Sequence, residues 1–238
     1  MPTLRTVPGL LVLALCLAGC GAPSDDRPTA AAPEFVVPSE PAATSEAPPP
    51  DAPRPTKTAT PTATAKPRTV IRYVFPVNAS NVAFQPTHAK YPATDIFADC
   101  GQPVVATTGG VVLEISLTDT YVEGQPDGPN NGGLSVSLLG DDGVRYYGSH
   151  LSNVRPGLEV GTRVTAGQQL GKVGRTGNAS GVCHLHFGIS PPCAKVGDWR
   201  VRRGVVWPAT FLTSWRAKGA KSPVATVAAW KRSHNCKA

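Results

Sequence analysis

Two histidines one residue apart, His184 and His186, lie within Cys183-His184-Leu185-His186-Phe187-Gly188-Ile189, an alternating run that reads as a strand. Side chains at i and i+2 of a strand project to the same face, so the two imidazoles share one space. Neutral imidazole is a good zinc ligand, and a catalytic zinc takes about three protein ligands with one position left open. Standing alone, the pair describes equally well two histidines on a solvated strand face. The metal reading therefore needs further ligands from elsewhere in the chain.

Upstream, His88 and Asp95 stand where a β-rich segment begins, and Gly101-Gln102-Pro103-Val104-Val105-Ala106 follows. Further on come Tyr146-Tyr147-Gly148-Ser149-His150-Leu151 and a glycine-punctuated run from Val160-Gly161 to Val173-Gly174-Arg175-Thr176-Gly177. In this order the chain resembles the LytM or lysostaphin-type zinc endopeptidases, which cut peptide cross-links in bacterial cell walls. The shared elements are a His…Asp pair before G-x-P-V-x-A-x-x-x-G-x-V, a middle Y-x-x-H-L, a G-x-x-V-x-x-G-x-x-[IL]-G segment and a closing H-L-H-F. All occur in sequence and cover roughly residues 71 to 215.

The first element departs from the family's usual His-x-Gly-x-Asp, because six residues separate His88 from Asp95 where the family has three. Strict register would put the ligand at Tyr91. We read Lys90-Tyr91-Pro92 as a short insertion that loops out so that His88 still reaches the metal. The resemblance then implies Zn2+ held by His88, Asp95 and His186, with a fourth position for water. It casts His150 and His184 as the two non-ligand histidines that take the water's proton or hydrogen-bond the oxyanion.

The activity implied is zinc-dependent cleavage of cross-links or stem peptides of peptidoglycan. The family also contains members that have lost ligands and bind wall or regulate another hydrolase, and the long His88 spacing keeps that second reading open. A third, remoter reading is a carrier domain, since the stretch from Arg163-Val164 to Gly171-Lys172 looks like the glycine-turn strands of biotinyl and lipoyl domains. Lys172 lacks their hairpin motif. The helix-borne His-Glu-x-x-His of other zinc proteases is absent, and His234 receives no role.

Short β-prone runs between Gly and Pro signals predict strands at residues 72–77, 93–98, 104–107, 110–117, 134–139, 144–150, 169–174 and 184–189. Helical periodicity is scarce. The expected fold is all-β, an antiparallel sheet or sandwich, which the resemblance narrows to the LytM (duplicated hybrid motif) type. The peptidase domain is expected over residues 71–217, with a basic tail at 218–238. Residues 119–133 read as an irregular hairpin loop that either walls the substrate groove or simply connects two strands. Beyond Cys16 and Cys20, four cysteines remain: Cys100, Cys183, Cys193 and Cys236. An even number in an exported domain predicts two disulfides, with three connectivities open. The odd offsets of Cys183 from His184 and of Cys100 from Asp95 turn both thiols away from the metal face.

Residues 1–19 read as a lipoprotein signal peptide, with Arg5 as a basic start, an apolar stretch at 10–17 and the lipobox Leu17-Ala18-Gly19-Cys20. The apolar stretch falls short of the roughly 20 residues that span a bilayer. Lipid on Cys20 would anchor the mature chain to the outer face of the cell membrane, facing the wall. The segment from 20 to 70 collapses into Pro, Ala, Thr, Ser and Glu and is expected to be a disordered tether. Extended as polyproline II at about 3.1 Å per residue, it would reach on the order of 100 Å or more. Of the +7 net charge, the excess lies at residues 195–238, where ten basic residues face Asp198 alone. Such a segment suits anionic wall polymers or lipid headgroups, or serves solubility. Nucleic acid is not expected as a partner, since no recognition motif occurs.

Overall fold

The computed structural model describes residues 70–193 and 198–238. The expected signal peptide, the lipidated Cys20 and all of the tether except residue 70 lie outside the described residues. Within them, alternating runs form ten strands. In chain order these are β1 (Ala83–Phe84), β2 (Thr94–Phe97), β3 (Pro103–Val105), β4 (Gly110–Ser116) and β5 (Ser135–Gly140). β6 (Arg145–Ser149), β7 (Leu151–Val154), β8 (Arg163–Val164), β9 (Gln169–Val173) and β10 (His184–Ser190) complete the set. Three helices follow: α1 (Trp199–Arg202), α2 (Ala209–Arg216) and α3 (Val224–His234). All strand pairs are antiparallel. One sheet has the order β1-β2-β10-β6-β5-β4-β8 and a smaller one the order β3-β9-β7. The all-β antiparallel architecture expected for a LytM-type fold is therefore the one observed.

The large sheet has two chemically different faces. β10 is buried along its whole length, and its odd positions, Leu185, Phe187 and Ile189, enter the core beside Ile96, Leu138 and Tyr146. Val104, Leu151, Leu170 and Val173 of the smaller sheet join the same cluster. Each such side chain contributes roughly 1.5–3 kcal/mol on burial. The even positions, His184, His186, Gly188 and Ser190, face the other way. Register sets Asp95 opposite His186 on one side, and Ser149, Tyr147 and Arg145 opposite His186, Gly188 and Ser190 on the other. A row of polar side chains thus occupies one face, and α1 lies against it. Arg145, with a side chain only 1% exposed, donates through Nε to Ser190 Oγ at 3.0 Å and through its terminal nitrogens to both Asp198 oxygens at 3.2 and 2.6 Å. Asp198 is the residue that precedes α1, so this pair pins the helix to the sheet.

Three differences from the sequence reading have physical causes. Residues 72–77 are not a strand. Pro76 has no N–H to donate, so the segment runs extended with one bridge, Val77 to Val104, and with hydrogen bonds from the Val74 N–H to the Thr107 carbonyl and from the Val105 N–H to the Pro76 carbonyl. β7 also lies outside the expected strands, and β1 and β8, at two residues each, are too short for alternation to reveal. The chain also ends in helices. In α2 Phe211, Leu212 and Trp215 are buried, and the Trp215 ring stacks on Tyr73 at 5.3 Å. Residues 218–238, expected as a basic tail, contain α3, which begins after Pro223 and ends at Asn235 in a left-handed cap, φ 45°. The four cysteines pair as Cys100–Cys183 and Cys193–Cys236.

Candidate metal and catalytic centre

Asp95 and His186 are direct partners across neighbouring antiparallel strands, an arrangement that brings facing side chains within contact. Asp95 Oδ1 lies 3.0 Å from His186 Nδ1. The other ring nitrogen of His186 lies 2.9 Å from the Arg203 carbonyl oxygen, which can only accept, so Nε2 carries a proton and donates. A neutral His186 then turns the lone pair of Nδ1 toward a carboxylate oxygen. Two acceptors at 3.0 Å need a cation between them, either a second proton or a metal ion.

His88 supplies the third donor. Its Nε2 lies 3.8 Å from Asp95 Oδ2, and donor atoms of His88, Asp95 and His186 all lie within 4.8 Å of one another. Donors on a tetrahedral zinc, with bonds of about 2.0–2.1 Å, are spaced about 3.3 Å apart. The contacts of Asp95 with the two histidines bracket that spacing, and two nitrogens with one oxygen form a zinc-type donor set. The residues present therefore fit the metal. His186, held by a carbonyl on its far nitrogen, also has the outer hydrogen bond typical of a metal-bound imidazole.

Around the Lys90-Tyr91-Pro92 stretch, both His88 and Tyr91 stand at the cluster, the Tyr91 ring 5.8 Å from that of His186. The same Tyr91 ring lies 4.3 Å from that of His88 and under the Arg203 guanidinium, whose Cζ is 3.7 Å from the ring centre. Gly204, at φ 129°, has no side chain where a Cβ would stand 2.4 Å from the Pro92 carbonyl. The turn after α1 thus braces the loop that bears His88. His88 is the least firmly oriented of the site histidines, since its Nδ1 faces only the Lys90 N–H, at 3.4 Å.

His184 and His150 flank this cluster. Each is oriented by a carbonyl on Nδ1, Val182 O at 2.9 Å for His184 and Thr176 O at 2.8 Å for His150. Each thereby keeps Nε2 free to accept a proton. The two rings are 4.7 Å apart, and His184 Nε2 is 3.8 Å from Asp95 Oδ1. His150 adopts φ 64°, a backbone region uncommon outside glycine, and such residues cluster at functional sites. Burial, then repulsion from His186 and His184, pushes its pKa down to about 3, so the ring is neutral at physiological pH. Burial and the His186 charge also lower His88. For Asp95, burial raises the pKa, but the His186 contact and the charges of the three neighbouring histidines outweigh it and hold the group an ionised carboxylate.

The cluster opens into a cleft of about 390 Å³, within the range that holds small ligands and therefore a short peptide segment. Asp127, Pro129 and Asn131 wall one side, so the 119–133 loop does line the groove. Phe97, Ala179 and Val182 add apolar surface to its lining, and Lys90, Arg202 and Arg203 add positive charge. Sequence reasoning missed Arg203, Thr176 and Gly188. Only Gly188 carried a signal, as a residue without a side chain two positions beyond His186 on the same face. Cys183 and Cys100, joined to one another, stay out of the metal cluster.

The sequence model of Peptidase family M23 matches residues 89–197. Asp95, His150, His184 and His186 fall inside the match, and His88 lies one residue before it. Among curated proteins none matches the chain. Solved structures similar to it include the catalytic domain of the antimicrobial peptidase lysostaphin from Staphylococcus simulans, at 26% identity over 56% of this chain and 94% of that one, TM-score 0.43. Lysostaphin itself aligns at 27% identity over 60% of this chain and 55% of that one, TM-score 0.44. A putative peptidase M23 from Pseudomonas aeruginosa aligns at 25% identity over 59% and 50%, TM-score 0.43. The chain thus spans about half the length of these last two.

Proposed function

We propose that this chain is a zinc-dependent endopeptidase of family M23 that cleaves peptide cross-links or stem peptides of bacterial peptidoglycan. The observation that carries this reading is the cation-sized meeting of His186 Nδ1, Asp95 and His88 Nε2, almost wholly inside the stretch matched by a peptidase family. Zinc held by these three residues supplies a Lewis acid and a source of hydroxide near neutral pH. The protein's own groups do the rest. His184 Nε2, free and beside Asp95, takes the proton of the attacking water. His150, kept neutral by burial, accepts or donates a hydrogen bond as charge develops on the scissile carbonyl. The open cleft beside these groups holds the peptide.

On the same reading, Cys20 carries lipid that anchors the mature protein to the outer face of the cell membrane, and the proline-rich segment lets the domain reach the wall. The basic C-terminal region then meets anionic wall polymers. Fractionation of a Cys20→Ser variant tests the anchor: release from membranes supports it, and retention transfers the role to the basic region.

The test of the enzyme is digestion of purified peptidoglycan with mass spectrometry of the released muropeptides, alongside the zinc content of the protein. One zinc per chain and new peptide termini are expected, with both lost in His186→Ala. The His88 spacing favours one second reading, a degenerate module that binds wall or regulates another hydrolase. Wall binding without new termini under any metal condition supports that module and sinks the enzyme. Unchanged zinc affinity in His88→Ala removes His88 from the ligand set.

A further inference from the structure

The basic part of the cleft lining is built around a guanidinium with unused donors. Arg203 Cζ lies 3.7 Å from the centre of the Tyr91 ring and 4.9 Å from that of Trp199. Stacking engages the faces of a guanidinium and leaves its N–H edge for an in-plane partner. Among the described residues that edge makes no hydrogen bond. Its one carboxylate neighbour, Asp127 Oδ2, stands 3.8 Å from Nη1, and Nε is buried without a partner.

The same Asp127 oxygen lies 3.6 Å from Lys90 Nζ, so one exposed carboxylate is shared by two cations. Arg202 is occupied differently, with Nη2 donating to the Pro129 carbonyl at 3.1 Å and Nη1 3.8 Å from Glu114 Oε1, which leaves Lys90 and Arg203 against the single Asp127 carboxylate. The rim therefore holds positive charge in excess. It also stands close to the chemistry, because the Tyr91 ring that carries Arg203 is 4.3 Å from His88 and 5.8 Å from His186. The same cleft is also lined by the exposed apolar side chains of Phe97 and Val182.

We propose that Arg203, assisted by Lys90, forms a subsite for a free carboxylate of the peptide substrate, carried next to the bond that is cut. The inference rests on the endopeptidase reading. A carboxylate is planar, matches the guanidinium fork with two parallel hydrogen bonds and offsets the excess charge that Asp127 leaves. A neutral amide in its place presents a single acceptor and no charge. The cleft then selects acidic peptide strands and orients them, with the anionic group toward Arg203 and the apolar portion toward Phe97.

The experiment uses the mature protein on isolated cell wall in two forms, untreated and with its carboxylates converted to carboxamides. Release of new amino termini and zinc content are measured for wild type, Arg203→Gln, Arg203→Lys and the exposed-site variant Lys90→Gln. Wild type should cleave the amidated wall about 10- to 100-fold more slowly, the size of a lost charge-assisted hydrogen-bond pair. Arg203→Gln should retain zinc, fall by a similar factor on untreated wall and cleave both walls alike. Arg203→Lys and Lys90→Gln should each keep part of the preference. Equal cleavage of both walls by wild type overturns the subsite, as does an undiminished preference in Arg203→Gln. Loss of zinc from Arg203→Gln also overturns it, by assigning the side chain to support of the His88 loop. If wild type cleaves neither wall, the endopeptidase reading itself falls.

Discussion

A Cβ on Gly188 would stand 2.4 Å from the carbonyl oxygen of Arg203. That carbonyl is the acceptor that fixes His186 through Nε2. The absence of a side chain at 188 therefore lets the turn after α1 approach β10 closely enough to set the orientation of a proposed metal ligand two residues away. Gly188→Ala should displace the Arg203 backbone and free the imidazole, and loss of such an outer hydrogen bond weakens metal affinity about 10- to 100-fold. Competition with a chelator measures it. Wild-type affinity in a folded Gly188→Ala protein would show that the carbonyl contact does not govern the ligand.

His184 and His150 are expected to matter for chemistry and not for holding metal. His184→Ala should keep one zinc while wall hydrolysis falls by roughly 10²–10⁴-fold. At position 150 the backbone is left-handed, φ 64°, so asparagine, which tolerates that region, is the cleaner replacement. His150→Asn should show the same separation of zinc content from activity. A His184 variant that loses zinc would move this residue into the ligand set, a result its 3.8 Å approach to Asp95 makes worth measuring.

The period-2 run around His186 made the central strand and the shared face of His184 and His186 readable in advance, because alternation encodes which side chains look into the core. Asp95 was readable only through the family resemblance, as the carboxylate of a His…Asp pair ahead of the Gly101-Gln102-Pro103-Val104 element. Register was not: that Asp95 stands opposite His186 depends on β2 and β10 pairing across 91 residues of chain. The helices escaped because α2 is only two turns long and α3 buries only Val227, so neither shows a sustained 3.6-residue stripe. Arg203 escaped because a stacked arginine leaves no spacing signature. The pairing of Cys100 with Cys183 likewise required the fold, since four cysteines allow three connectivities.

Arg145 and Asp198 form a buried, two-pronged ion pair with side chains 1% and 8% exposed. Removing Asp198 leaves the buried Arg145 with only the more distant Glu114 carboxylate, 3.7 Å from Nη1, and costs up to the roughly 3–5 kcal/mol of a broken buried pair. Asp198→Ala should therefore lower the denaturant midpoint by that amount of stability and loosen α1, with activity falling as the Arg203 carbonyl leaves His186. Replacing both residues by apolar ones should recover much of the stability without the activity. A single Asp198→Ala variant as stable as wild type would show that the pair contributes no net stability.

The alkaline limit of stability should come from Tyr73 and Tyr146, which share the Asp142 carboxylate, together with Tyr91, which burial pushes up to about 12. Burial, with the Asp142 charge added, pushes Tyr73 up to about 12, and Tyr146 moves in the same direction from burial and the same carboxylate. The ordinary phenol value of 10.0 applies to the unfolded chain. Above it the unfolded state releases protons that the folded state retains, so the stability that is fully present below about pH 10 is lost as pH rises through the folded values. Chemical denaturation between pH 8 and 12 should show a flat region and then a decline. Tyrosinate absorbance of the folded protein should stay short of all five tyrosines until unfolding releases the rest. Tyr146→Phe should reduce the slope of the decline, since one of the retained protons is gone. A stability profile that stays flat to pH 12, or a slope unchanged in Tyr146→Phe, would remove this pair as the cause.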